Sequence, residues 1–199
     1  FDITVGPLVN AWGFGPGAVP ENPLSDSEIE ALKTRTGYEK LLLDPAESAV
    51  QKTDPAVYCD LSAIAKGYAV DRVCAALDEA GYRNYMVEVG GEVRTSGVNG
   101  EGIPWRIGII NPDPYHGEVE IVVPMSGWSL ATSGDYRNFY ERNGVRYSHT
   151  IDPRTGRPIT HNLASVSVIH RECALADGYA TALMVMGPEN GLKWAEEND

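Results

Sequence analysis

From Tyr85 to Ser133 the chain is a succession of short runs, YMVEV, WRIGII, EVEIVVPM and SLATS, each β-branched or alternating in polarity and separated by Gly, Pro and Asn. Alternation with period two puts one set of side chains on each face of a sheet, and short connections favour antiparallel neighbours. This is the strongest constraint on the fold: the chain must build a sheet and cover it. ASVSVIH, residues 164–170, reads as a further strand.

Candidate covers flank the strands. Ser25 and Glu28 have capping-box spacing ahead of a short helix over SDSEIEALKTR, stopped by Gly37. A longer helix is expected through DLSAIAKGYAVDRVCAALDEAG, with Leu61, Ile64, Ala65, Tyr68, Val73, Ala76 and Leu77 on one stripe, Asp60 as cap and Gly81 as stop. After the last strand come a helix containing ALADGYATALMV and an amphipathic piece, PENGLKWAEEN, with Pro188 near its first turn. Residues 1–24 include GFGPGAVPENP, whose Gly and Pro density predicts an irregular loop. Helices framing strands give an α+β fold of mixed or antiparallel sheets packed with helices. A length of 199 residues suits one large unit or two small ones, and no repeat or linker marks a boundary.

Composition narrows the function. A net charge of −12, from 16 Lys and Arg against 28 Asp and Glu, argues against a nucleic-acid or anionic-membrane surface. An anionic ligand would need a metal or a few placed cations. Cys59, Cys74 and Cys173 lack Cys-x-x-Cys spacing, so neither a zinc site nor a disulfide framework is indicated. No stretch approaches the roughly 18 to 20 apolar residues of a membrane span.

Four places could carry chemistry. In ALADGYATALMV, Asp177 and Thr181 stand four apart and share a helix face. A carboxylate in an apolar run is costly unless paired. Carboxylate and hydroxyl oxygens are hard ligands that could supply half of a Mg²⁺ site. Alternatively, Asp177 caps the helix or pairs with an Arg while Thr181 bonds back to a carbonyl. In SAIAKGYAVD, Lys66 either neutralises a phosphate or snorkels beside a glycine chosen for close packing. EVGGEVRTSG puts Gly90 and Gly91 directly after a strand, which allows close backbone approach to a ligand or makes a bulge. It is not GxGxxG opening a helix, so a Rossmann site is excluded. Finally, LATSGDYRNFYERNGVRYSHTIDPRTGRPI sets His149 before a turn built by Asp152, Pro153 and Gly156. A histidine there is either a general base or a partner of a turn carbonyl. GxSxG, P-loop and HExxH signatures are absent from the sequence.

In this order, DLSAIAKGYAVD, EVGGEVRTSG, PWRIGIINP, ATSGDYRNFY, SHTIDPRTGRPI and ADGYATALMVMG resemble the ApbE family of FAD:protein FMN transferases, and FDITVGPLVNAWGFGP looks like that family's early core. Six ordered motifs over nearly the whole chain are far more specific than any one of them. The resemblance implies an ApbE-like, T-fold-like α+β domain over residues 1–199. It further implies that FAD is the donor substrate, that Mg²⁺ bridges its pyrophosphate, that a Thr or Ser hydroxyl of a target protein attacks the FMN phosphorus, and that AMP leaves. Carried over residue by residue, Asp177, Thr181 and the Ala63 carbonyl hold the metal, and His149 is the base. Lys66, Glu88, Gly90, Gly91, Ser133, Gly134 and Asp135 line the flavin nucleotide.

The family pattern also carries an upstream segment with a lipoprotein-type export signal and a Met-Gly-Thr motif, and a short C-terminal portion. The chain opens at FDITVGPLVN and lacks both, so the expectation is a domain truncated at both ends. The implied setting is periplasmic and inner-membrane-anchored. The implied acceptors are flavoprotein subunits of membrane redox pumps of the Na⁺-translocating NADH:quinone reductase or Rnf type, with no nucleic acid as partner. Two rivals share these residues: an FAD pyrophosphatase, in which water is the nucleophile, and a flavin-storing protein without turnover.

Overall fold

The computed structural model describes residues 1–112, 117–136 and 138–198. In chain order the elements are α1 (Gly6–Ala11), α2 (Asp26–Lys33), a 3-10 turn at Tyr38–Lys40, β1 (Leu41–Asp44), β2 (Ala49–Lys52), α3 (Ala65–Glu79), β3 (Tyr85–Val89), β4 (Glu92–Ser96), β5 (Trp105–Ile110), β6 (Val119–Met125), β7 (Ser129–Gly134), β8 (Phe139–Arg142), β9 (Val145–Ser148), β10 (Ile151–Asp152), β11 (Arg157–Pro158), β12 (Ser165–His170) and α4 (Cys173–Asn198). They form two compact units, one from 1–61 and 138–160, the other from 62–137 and 161–199. The expected α+β class holds, and every strand pair described is antiparallel.

The first unit is built on Leu8, Trp12, Ile29 and Ile151. Trp12 Nε1 donates to the Gly156 carbonyl at 2.8 Å, which satisfies the indole's one donor inside the core. A run of rings continues from it, Trp12 to Tyr147, Tyr140 and Phe14, with centroids 5.7, 5.0 and 5.3 Å apart. Helix α2 starts as its sequence predicts, with both halves of the Ser25–Glu28 capping box formed. The loop expected across residues 1–24 is interrupted by α1, because Pro7 in GPLVNA falls at the start of a helix, where its missing N–H costs nothing.

The second unit is a four-stranded sheet in the order β12-β7-β4-β3. Val93 and Leu130 on one face pack against Ile107 and Met125 of the β5–β6 ribbon. On the other face α3 and α4 bury Val70, Cys74 and Cys173 beside Tyr85, with Val87 and Val89 against them. The two helices touch backbone to backbone: a Cβ at Gly67 would lie 2.3 Å from the Cys173 carbonyl oxygen. Asp71 of α3 accepts from the Cys173 and Ala174 N–H groups, at 3.0 and 2.9 Å, and pairs with Arg94 at 2.6 Å. One side chain thus caps α4 and ties both helices to the sheet.

The predicted α3 is corrected in two respects. It begins at Ala65 rather than at Asp60, whose N–H instead donates to the Ile3 carbonyl in the first unit. Its buried face is Gly67, Val70 and Cys74, whereas Leu61, Tyr68 and Val73 are exposed. Small residues that permit backbone contact outcompete bulkier side chains at a helix crossing. Gly81 does end the helix, at φ 87°, with the Tyr82 N–H returning to the Leu77 carbonyl. In α4 the backbone leaves helical geometry at Gly187 (φ 79°), and Pro188 starts the second segment there. Among the described residues, no helix is long and apolar enough to cross a membrane.

Candidate functional site

Asp177, 3% exposed, is buried at the α3–α4 crossing. Its Oδ2 accepts the Gly67 N–H at 3.0 Å. Gly67 is the third residue of α3, so its N–H is one of the first-turn donors that have no acceptor within their own helix. The Asp177 carboxylate satisfies that donor from the neighbouring helix. Asp177 thus helps to cap α3 rather than its own helix, and no Arg pairs with it among the described residues. Burial raises its pKa above the ordinary range, against the opposing pull of the Gly67 N–H and the Lys66 charge.

Thr181, one turn on, does not bond back to a carbonyl. Its hydroxyl lies 3.1 Å from the Ser133 hydroxyl of β7. Lys66 reaches the other way, its Nζ 2.6 Å from Glu92 Oε1 at the start of β4. Glu92 is 1% exposed, and its Oε2 has no hydrogen-bond partner among the described residues. Burial pushes the Glu92 carboxyl up; the Lys66 contact pulls it down and the Asp177 charge raises it again. The sequence reading passed over Glu92. Its signal was present, since a two-residue Gly90–Gly91 turn sets Glu92 opposite Val89 and Arg94 opposite Val87, on the helix-covered face, where a carboxylate needs a partner.

The opposite face of the sheet holds a cavity of about 700 Å³, lined by Glu88, Gly90, Gly91, Thr132, Gly134, Tyr136 and Arg106 among others. That size is in the range of small-molecule sites. The predicted nucleotide-lining residues thus divide between faces: Glu88, Gly90, Gly91 and Gly134 border the cavity, while Lys66 and Ser133 lie with Asp177 and Thr181 under the helices. The Gly90–Gly91 turn joins the two. Both glycines have positive φ, 61° and 103°. A Cβ on Gly90 would come within 3.0 Å of Lys66 Cδ and 3.8 Å of Glu92 Oε2. Asp135 is buried just beyond β7, its N–H donating to the Ala164 carbonyl at 3.2 Å.

His149 belongs to the first unit, next to β9. Its Nδ1 is 2.9 Å from the Asn138 carbonyl, which also accepts the His149 N–H at 3.2 Å. A carbonyl only accepts, so Nδ1 carries the proton and Nε2 is the basic nitrogen of the neutral ring. The Phe14 ring stands edge-on to it at 6.2 Å.

Among the described residues no three His, Cys, Asp or Glu side chains gather as a metal cluster. A cation here would rest on one carboxylate with hydroxyl and carbonyl oxygens. That donor set fits Mg²⁺, which keeps much of its shell for water and phosphate, and does not fit zinc. The fit is supported by the buried Asp177, whose Oδ1 takes no hydrogen bond from the described residues.

The family model described as "ApbE family" matches residues 1–199. The FAD:protein FMN transferase of Vibrio cholerae is 50% identical over 197 residues, covering 99% of this chain and 58% of the relative. That of Escherichia coli is 47% identical over 190 residues, covering 94% and 54%. Among solved structures, the flavin transferase ApbE from Vibrio cholerae superposes with a TM-score of 0.88 at 49% identity, over 99% of this chain and 62% of that one. The apo flavinyl transferase ApbE of Pseudomonas stutzeri gives 0.88 at 45% identity, over 100% and 60%. The chain thus spans rather more than half the length of the curated relatives it matches.

Proposed function

Because this chain belongs to the ApbE family, we propose that it is the greater part of an FAD:protein FMN transferase, which moves FMN from FAD to a Thr or Ser hydroxyl of an acceptor flavoprotein and releases AMP. The observation that carries the reading is the double-faced end of the sheet. A cavity of about 700 Å³ lies on one face, hard oxygen donors that could hold a cation lie on the other, and a side-chain-free glycine turn stands between them. A dinucleotide needs that combination, since its ring and its pyrophosphate demand opposite surroundings.

In this reading Asp177, Thr181 and the Ala63 carbonyl hold Mg²⁺, which when bound supplies Lewis-acid stabilisation of charge developing on the pyrophosphate. The Lys66 ammonium adds a second positive charge toward the phosphates, which an acidic chain otherwise lacks. Gly90 and Gly91 let the nucleotide pass close to the backbone. Glu88, Gly134 and Thr132 bind in the cavity, and Ser133 orients the Thr181 hydroxyl. His149 takes the proton of the acceptor hydroxyl at Nε2 and is fixed in that tautomer by Asn138. A storage protein would need neither a base nor a phosphate-directed cation. We further place the whole protein in the periplasm, anchored at the inner membrane, with flavoprotein subunits of membrane redox pumps as acceptors. The family resemblance supports these assignments.

The test is intact-mass analysis of an acceptor domain incubated with the full-length protein, FAD and Mg²⁺, with AMP followed in parallel. The reading expects a gain of one FMN less water and an equal amount of AMP. Free FMN and AMP beside an unmodified acceptor would move the assignment to a pyrophosphatase.

A further inference from the structure

On the helix-covered face of the second unit, three carboxylates act on the buried Cys173 thiol. Asp71, Glu92 and Asp177 all raise it, after burial, and it is pushed up to about 12. Two cations answer them. Arg94 is committed to Asp71 at 2.6 Å, and Asp71 also holds the start of α4. That leaves Lys66 alone for Glu92 and Asp177, which are 1% and 3% exposed. Lys66 gives Glu92 a contact of 2.6 Å, and its neighbour Gly67 gives Asp177 the only hydrogen bond it receives from the described residues. Among the described residues, Glu92 Oε2 has no hydrogen-bond partner. Two buried carboxylates served by one ammonium keep one uncompensated negative charge, which a folded protein tolerates poorly unless a cation completes it.

We propose that Lys66 is the built-in counter-ion of a buried Glu92–Asp177 carboxylate pair, and that this two-to-one charge balance sets how tightly the adjoining site binds a divalent cation. Glu92 is then a positioning residue acting through Lys66. It steadies the ammonium beside the Gly90–Gly91 turn while the site is empty of nucleotide and keeps the local charge negative enough to attract the cation. Lys66 in turn weakens the cation's hold, so that the site does not retain metal irrespective of nucleotide. The inference rests on the reading of Asp177 and Thr181 as metal ligands and adds a role that this reading does not require.

Opposite effects are expected from neutralising the two partners. Mn²⁺ titrated into the full-length protein, with free Mn²⁺ read by electron paramagnetic resonance, measures affinity without turnover. Lys66→Met removes the competing charge and should bind Mn²⁺ at least about tenfold more tightly, whereas Glu92→Gln should bind it at least about tenfold more weakly. The double variant restores the native net charge and should return close to native affinity. A purely structural ion pair would instead weaken binding in both single variants, and that result would overturn the proposal, as would unchanged affinities. Native protein that binds no Mn²⁺ would overturn both this inference and the metal reading beneath it. Native binding that Asp177→Ala abolishes, together with variants failing the opposite-sign pattern, would overturn the counter-ion role alone.

Discussion

Gly67→Ala perturbs the point on which the site is built. The added Cβ would lie 2.3 Å from the Cys173 carbonyl oxygen, 2.6 Å from its carbon and 2.8 Å from the Ala174 Cα. All three are backbone atoms at the start of α4, so no side chain can swing away, and α3 and α4 must separate. Alanine gains about 1 kcal/mol over glycine in helix propensity. Against this stands overpacking of about 1–3 kcal/mol, together with the Gly67–Asp177 hydrogen bond to a charged acceptor, about 1.5–3 kcal/mol if it is lost. The net expectation is destabilisation by about 2–4 kcal/mol, or a Tm lowered by roughly 5–15 °C for a chain of this size. Urea unfolding followed by circular dichroism measures it, and Mn²⁺ affinity should fall in parallel because Asp177 loses its seat. A variant within about 0.5 kcal/mol of native, or one with native Mn²⁺ affinity, would refute the argument that the glycine exists to bring the two helices and the carboxylate together.

Other expectations follow from neighbouring features. Asp177→Ala should lower FMN transfer by at least about a hundredfold at ordinary Mg²⁺, and near-native turnover would remove Asp177 from the ligand set. Asp71→Ala strips two N–H groups of α4 and Arg94 of their acceptor and should cost about 2–4 kcal/mol by chemical denaturation; a loss below about 1 kcal/mol would contradict its bridging role. Glu92 and Asp177 have folded pKa values above their ordinary 4.5 and 3.8, so the native state holds more protons there than the unfolded one. In metal-free protein their contribution to stability is present at low pH and is lost as pH rises through the folded values. Native stability measured against Glu92→Gln should accordingly decline from about pH 4 toward neutrality, and parallel pH profiles would count against it. Cys59 is exposed, whereas Cys74 and Cys173 are buried with raised pKa, so a thiol reagent at neutral pH should modify one cysteine before unfolding and three after. Rapid modification of Cys173 in the folded protein would show the helix crossing to be more open than described.

Strands and helix ends were the legible part of the fold. β3, β5, β6, β7 and β12 lie where the period-two runs placed them, and the Ser25–Glu28 box and Gly81 delimit helices as expected. The β1–β2 and β8–β9 hairpins were not foreseen, because strands of four residues leave too little pattern to count. The buried face of α3 was misread for a different reason. Side-chain bulk weights Tyr68 and Val73 above Gly67, yet the deciding quantity was the closeness of two backbones, which only the partner helix reveals. The site was legible in its ingredients and not in its geometry. Asp177 and Thr181 declared themselves by standing on one apolar face, and their neighbours Gly67 and Ser133 depend on tertiary pairing. For Glu92 the two-residue turn gives the face it occupies, but a glutamate in a strand is ordinarily solvated and nothing local signals that Lys66 lies opposite.

The central claim is that the two faces of one sheet end divide a dinucleotide between them. Crystals of the full-length protein grown with FAD and Mn²⁺, with the cation located by anomalous scattering, test it most directly. The account predicts the anomalous peak within bonding distance of the Asp177 carboxylate, the Thr181 hydroxyl and the Ala63 carbonyl, with the pyrophosphate beside the Gly90–Gly91 turn and a ring system of FAD in the cavity. A cation bound elsewhere, or a dinucleotide that leaves that turn untouched, would contradict it.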